Sequence, residues 1–261
     1  MSNVVARGVR FHTQRLGNGS ETVVFVHGLV MDNLSSWYFT LANPAAATAD
    51  VLLYDLRGHG WSERPPTGYT VEDMVADLTA LLDVLGIESP VQLVGNSFGG
   101  LLALKFAAAH AERVRALALV DPHLSDAGWG DQMGETLALH GAARDRRIAE
   151  SFQAWLGRHS LRKRNRLAEA AEALVYHTSL VEDLRRSPPL TDAELGRVRC
   201  PVLAMFGEHS DVRSNGARLQ RTLPSCRLRI VEGCTHSVLW EATETVKRET
   251  LQWLARPGSL E

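Results

Sequence analysis

What the chain has little of already narrows its function. Cysteine is scarce, with Cys200, Cys226 and Cys234 the only three in 261 residues, odd in number and without Cys-x-x-Cys spacing. That argues against a disulfide framework or a cysteine-based zinc site and leaves the thiols as packing groups. An excess of one charge is also missing. The 28 Lys and Arg against 30 Asp and Glu give a formal net charge of -2, so nucleic acid and anionic membranes are not expected partners. No apolar run approaches the roughly 20 residues of a membrane span, and the opening Met-Ser-Asn-Val-Val-Ala-Arg lacks the apolar core of a signal peptide. A cytoplasmic location follows as the expectation. No internal repeat or low-complexity stretch is present either.

What remains is an ordinary globular composition, 45% hydrophobic and 22% charged, in a chain long enough for one α/β domain with an insertion. The organising stretch runs from Val91 to Ala109. A short apolar β-run ends at Gly95-Asn96-Ser97-Phe98-Gly99, and an Ala/Leu-rich helical pattern starts at once. This is the Gly-x-Ser-x-Gly nucleophile elbow in its required strand-turn-helix setting. A turn so sharp strains Ser97, and a side chain two residues before or after it collides with neighbouring backbone, which is why Gly95 and Gly99 stand there. The free N–H groups at the helix start, that of Phe98 first among them, form one half of an oxyanion hole.

Val4 to His12 and Thr22 to Val26 read as strands of an opening hairpin across the turn-rich Leu-Gly-Asn-Gly-Ser. The loop from His27 to Asn33 supplies the second oxyanion donor, the Leu29 amide, while His27 itself reads as a structural residue of the loop. Trp37, Tyr38 and Phe39 follow in a short helical pattern and are candidates to line a site. Val51 to Tyr54 is another strand, and the Asp55, Arg57 and His59 that follow it read as mutually satisfied structural charges with no catalytic role. Thr70 and Asp73 predict a capped helix start, Val71 to Leu85 an apolar face, and Gly86 the stop. Ala116 to Val120 is a buried strand ending at Asp121-Pro122. Such alternation predicts a mostly parallel sheet covered by helices on both faces, with ligands bound beyond its strand C-termini.

Between residues 122 and 194 the β-runs stop, and helical patterns with scattered Trp129, Phe152, Trp155 and Tyr176 indicate an inserted helical cap; residues 1–121 and 195–261 form the core domain. The locally basic stretch Arg158 to Arg166 reads first as a solvated helix face and second as a site for a phosphate-bearing substrate or an acyl-carrier protein. The core resumes with the strand Cys200 to Phe206 and the loop Gly207-Glu208-His209-Ser210-Asp211. Leu228 to Val231 is the last strand, and the loop after it carries His236. His236 is the candidate base and Asp211 the candidate orienting acid, with Asp121 as the alternative.

His-Gly-Leu at His27, Asp-Leu-Arg-Gly-His-Gly-Trp-Ser at Asp55, Gly-Asn-Ser-Phe-Gly-Gly at Gly95, Gly-Glu-His-Ser-Asp at Gly207 and Gly-Cys-Thr-His at Gly233 together resemble the α/β-hydrolase superfamily across nearly the whole chain. The resemblance implies an eight-stranded, mostly parallel α/β sheet with an inserted cap and a Ser97-His236-Asp211 triad, in the superfamily's chain order and with no cofactor or metal. In the commonest family spacing the acid stands one residue nearer Gly207 than Asp211 does. Serine at the elbow separates the chain from dehalogenase and epoxide-hydrolase relatives, which place Asp there. An ester or thioester hydrolase of a mainly apolar small molecule, bound in part by Trp37 and Trp240, is the resulting expectation. The alternatives are carbon–carbon cleavage of the meta-cleavage-product type, suggested by Gly-Asn-Ser, a thioesterase or cyclase-like enzyme of natural-product assembly, and a small-ligand receptor on the same fold.

Overall fold

The computed structural model describes residues 2–139, 141 and 161–258. Phe152, Trp155 and the first part of the basic stretch, residues 158–160, lie outside the described residues. Eight strands form one sheet: β1 Ser2–Ala6, β2 Val9–Leu16, β3 Thr22–Val26, β4 Asp50–Tyr54, β5 Val91–Asn96, β6 Val114–Val120, β7 Val202–Gly207 and β8 Cys226–Val231. Their spatial order is β1-β2-β4-β3-β5-β6-β7-β8, with β1 and β2 antiparallel and all pairs from β4 to β8 parallel.

The start of the chain differs from the expectation. Val4 to His12 is not one strand, because Arg7 and Gly8 both take positive φ (48° and 74°) and close a two-residue hairpin between β1 and β2. β2 then pairs with β4 rather than β3, so the Gly17–Gly19 turn leads across the sheet and not back along it.

Alternation along the parallel strands divides the core into two layers. Val24, Val26, Leu93, Leu117 and Leu119 face the helices Val71–Val84 and Phe98–Ala109, while Val23, Phe25, Val94, Ala118 and Val120 face Trp37, Leu41, Val246 and Trp253. The first helix begins where Thr70 Oγ1 accepts the Asp73 amide at 3.0 Å and is followed by Gly86 at φ 66°, as the residue pattern requires. The second is buried from Phe98 to Ala107, consistent with its Ala/Leu/Gly composition. Between β6 and β7 the described elements are helices only: Trp129–Leu137, Leu161–Tyr176, Leu180–Arg186 and Asp192–Leu195. Among the described residues no helix is long and apolar enough to cross a membrane.

The polar residues after β4 lock this frame together. Arg57 makes a two-pronged ion pair with Asp77, at 2.5 Å through both Nε and Nη2, and Arg7 reaches the same carboxylate at 2.9 Å. Arg57 and Asp77 are both buried, so removing one leaves the other charged and unpaired away from water. Asp77→Ala is therefore expected to cost about 3–5 kcal/mol. Urea unfolding should show this as a lower midpoint at unchanged slope.

Candidate active site

The elbow joins β5 to the helix Phe98–Ala109. Ser97 sits at φ 53°, ψ −117°, a conformation that L-residues rarely adopt, and its amide is fixed by the Val120 carbonyl at 2.8 Å. The flanking glycines are demanded by space. A Cβ on Gly95 would stand 2.5 Å from the Gly99 carbonyl oxygen, and one on Gly99 would run into the carbonyl oxygens of Val26 and His27. Strand, turn and helix thus leave Ser97 Oγ raised at the C-terminal end of β5. It donates to His236 Nε2 at 2.9 Å.

His236 lies in the loop after β8, and its Nδ1–H donates to Asp121 Oδ2 at 2.6 Å. This corrects the expectation of Asp211. Asp121, at the end of β6, is 0% exposed and also accepts the Gly207 amide at 2.8 Å and the Ser210 hydroxyl at 2.5 Å. Residue 210, where the commonest spacing places the acid, turns inward but is a serine; residue 211 is exposed. The loop after β7 therefore contributes a hydrogen bond to the carboxylate and leaves the carboxylate itself to β6. Asp121 adopts φ 48°, so its backbone is strained where it meets His236.

The loop after β3 is held on every side. His27 Nδ1–H donates to the Gly28 carbonyl at 2.6 Å while its Nε2 accepts the Leu56 amide at 3.0 Å. Asp32 accepts the Gly28 amide at 2.8 Å, His59 Nε2 accepts the Val30 amide at 2.8 Å, and the Met31 amide goes to the Leu29 carbonyl. Val30 is thereby kept at φ 66°, unusual for a β-branched residue. Among the described residues the Leu29 and Phe98 amides donate to no acceptor, and both residues line the same cavity as Ser97 and His236. Two free donors beside a hydroxyl are the geometry that receives an oxyanion.

Asp55 and His59 are structural, as the residue pattern suggested. Asp55 accepts from His12 Nδ1–H and from the Leu34 and Trp61 amides, and although burial pushes its carboxyl up, these bonds and nearby His27 hold it below its ordinary value. His59 is pushed down to about 3, chiefly by burial and then by His27, and its Nδ1–H donates to the Arg57 carbonyl. It is a neutral strut for the loop after β3.

The cavity measures about 760 Å³. Its described wall includes Trp240, Trp129, Tyr176 and His123. Trp37 is not there. It is 0% exposed and packs against Phe25 at 5.2 Å, because the helical turn Ser35–Trp37 directs its ring into the core layer that also holds Leu41, Val246 and Trp253. Phe39 is 75% exposed and also lies outside the cavity wall. The charged side chains of the described wall are all acidic: Asp32, Asp126, Glu172 and Asp211. Asp126 is ion-paired with Arg218. No group of three His, Cys, Asp or Glu among the described residues is arranged to hold a metal ion, and Cys200, Cys226 and Cys234 are free thiols that burial raises above their ordinary range.

His59 gives the fold a pH dependence of known sign. Unfolded, it titrates near 6.5; folded, at about 3. Between those values the unfolded chain binds more protons, so this contribution is complete above pH of about 6.5 and is lost as pH falls towards 3. His59→Gln keeps an acceptor and a donor without the titration. Its urea midpoint should be lower than wild type at pH 8 yet fall less between pH 7 and 5.

Comparison with known proteins places these features in context. The model of the family described as alpha/beta hydrolase fold matches residues 21–191. Over 124 residues, 48% of the chain, it is 39% identical to the dihydrolipoyllysine-residue acetyltransferase component of the acetoin cleaving system of Cupriavidus necator, 31% of whose length is covered. It is 38% identical over 120 residues to 2-hydroxy-6-oxo-2,4-heptadienoate hydrolase of Pseudomonas putida, covering 45% of this chain and 42% of that one. The chain thus spans less than half the length of either relative. Among solved structures, the enol-lactonase of Burkholderia xenovorans LB400 superposes with a TM-score of 0.79 over 98% of this chain and 100% of that one, at 22% identity, a likeness of fold.

Proposed function

Since the chain belongs to the alpha/beta hydrolase fold family, whose members include hydrolases, we propose that it is a serine hydrolase cleaving a carboxylic ester or thioester of a mainly apolar small molecule through an acyl-enzyme on Ser97. The observation that carries this reading is the continuous hydrogen-bonded series Ser97 Oγ, His236 Nε2, His236 Nδ1 and Asp121, set beside the free Leu29 and Phe98 amides.

The chemistry follows from those contacts. His236 Nε2 takes the Ser97 proton as Oγ bonds to the substrate carbonyl carbon, and the carbonyl oxygen gathers negative charge against the two amides. Asp121, fully buried, keeps the proton on Nδ1 and stabilises the imidazolium. As the carbonyl re-forms, the bond to the leaving oxygen or sulfur breaks and His236 returns its proton to that atom. Water then enters, gives its proton to His236, and releases the acid by the reverse sequence. No cofactor takes part in these steps.

A second reading, cleavage of a carbon–carbon bond, is favoured by Asn96 before the nucleophile and by the likeness to 2-hydroxy-6-oxo-2,4-heptadienoate hydrolase. The described wall of the cavity, with Trp129, Met133, Leu239 and Trp240, favours a mainly apolar substrate.

Labelling with a fluorophosphonate, read by intact mass, tests the nucleophile, and ester turnover tests the acid. One adduct is expected on wild type and none on Ser97→Ala; an adduct retained by Ser97→Ala identifies a different nucleophile. On p-nitrophenyl butyrate, Asp121→Asn should lower kcat by about 10⁴-fold, the scale of a lost triad acid. Asp211→Asn should stay within a few fold of wild type. A large loss at Asp211 with Asp121→Asn active would reverse the assignment.

A further inference from the structure

One imidazole in the cavity is left unused by the mechanism. His123 follows Asp121 and Pro122 at the end of β6, and its backbone N–H donates to the Ser97 carbonyl at 3.2 Å, so it stands directly beside the nucleophile. Its ring centroid lies 5.0 Å from that of His236. The indole N–H of Trp129 reaches His123 Nδ1 at 3.3 Å. Indole nitrogen can only donate, so Nδ1 must accept and the single ring proton sits on Nε2. Trp129 is itself held by stacking on Phe98, with centroids 6.2 Å apart and planes 8° from parallel. The donor is therefore oriented by a ring that the elbow helix anchors. Burial, and secondly the neighbouring His236, push His123 down to about 3, which keeps the ring neutral even when His236 carries the catalytic proton. Among the described residues Nε2 has no acceptor, and His123 lines the cavity.

We propose that His123 Nε2–H is a fixed hydrogen-bond donor to the substrate and selects acyl groups that carry an oxygen acceptor close to the scissile carbonyl. This rests on the serine-hydrolase reading above and names the class of acyl group it takes: alkoxy-, oxo- or hydroxy-substituted rather than plain alkyl. The position of the donor restricts the acceptor to the first atoms of the acyl chain, because His123 is tied to Ser97 through the backbone and to His236 through ring contact. The surrounding apolar wall sharpens the choice. A plain alkyl chain placed against Nε2–H would leave it without an acceptor, whereas an ether or carbonyl oxygen satisfies it. The donor is neutral, so it meets uncharged oxygens without the charge that a carboxylate would require beside Asp32 and Glu172.

Two esters of matched shape test the proposal: p-nitrophenyl butyrate and p-nitrophenyl methoxyacetate, in which one methylene becomes an oxygen. Each variant is compared with wild type on the same ester, which removes the intrinsic difference in reactivity. In His123→Phe, kcat/KM for the methoxyacetate should fall by about tenfold more than for the butyrate, the scale of one lost hydrogen bond. His123→Gln, which keeps an N–H donor, should recover part of that selectivity. Trp129→Phe keeps the stacked ring but frees the tautomer, should shift selectivity in the same direction, and serves if His123→Phe does not fold. In wild type, long-range ¹H–¹⁵N spectra should show His123 Nδ1 unprotonated and Nε2 protonated from pH 5 to 8. Equal losses on both esters would overturn the proposal, because His123 would then be only a prop for His236; so would unchanged kinetics or a proton on Nδ1. A wild type that turns over neither ester and takes no fluorophosphonate at Ser97 would refute the hydrolase reading itself, and the proposal with it.

Discussion

The Asp121 carboxylate is the constraint on which the site depends. It is entirely buried at the end of β6 and accepts three hydrogen bonds, from the Gly207 amide and the Ser210 hydroxyl after β7 and from His236 after β8. A buried carboxylate with fewer partners would be costly. With these three it ties together the ends of β6, β7 and β8 at the point where the imidazole must be held. Its strained φ of 48° and that of Ser97 at 53° occur at the ends of two adjacent strands. The Ser97 amide bonds to the Val120 carbonyl and the Asp121 amide to the Met205 carbonyl, so the sheet itself holds both turns.

On the other side of the nucleophile the same principle acts through backbone amides. The loop after β3 could fold to satisfy all its N–H groups internally; instead Asp32 takes the amide of Gly28 and His59 that of Val30, and the intervening Leu29 amide is left free. His59 belongs to the Asp-Leu-Arg-Gly-His-Gly loop after β4, which Arg57 and Asp77 pin to the helix Val71–Val84. Stability invested in that distant ion pair thus also holds the loop that leaves the Leu29 amide free. Pre-set donors of this kind need no reorganisation as charge develops.

Most of this was legible in the sequence where the determining contacts are short in range. Gly95 and Gly99 flank Ser97 by two residues, and the clash they avoid is a local one. Thr70 with Asp73 and Gly86 mark one helix for the same reason. The family's chain order likewise pointed to His236. The acid was harder, since the ends of β6 and β7 each carry an aspartate near the imidazole, and the family's chain order fits either one. The deciding signal is at residue 210: a serine in the position of the usual acid can donate to a carboxylate but cannot replace it, which favours Asp121, the alternative, over Asp211. Trp37 failed for a different reason. In so short a helical turn one residue's rotation decides between cavity and core, and no periodic pattern is long enough to fix it. The hairpin at Arg7-Gly8 was hidden because arginine seldom takes positive φ, and only its glycine hinted at the turn.

The histidines around the site show how one side chain is given different tasks by what occupies its two nitrogens. His27 and His59 each donate from Nδ1 to a backbone carbonyl and accept a backbone amide at Nε2, so both nitrogens are committed and the rings can only support structure. His236 has a carboxylate on one nitrogen and a hydroxyl on the other, the arrangement that lets a proton arrive at Nε2 while the resulting charge is balanced at Nδ1. His123 falls between these cases: an indole fixes one nitrogen, and the other remains a neutral donor. Had a carboxylate stood in place of Trp129, His123 would compete with His236 for the proton. A donor-only partner prevents that competition, and the site keeps one base and one donor a single ring contact apart.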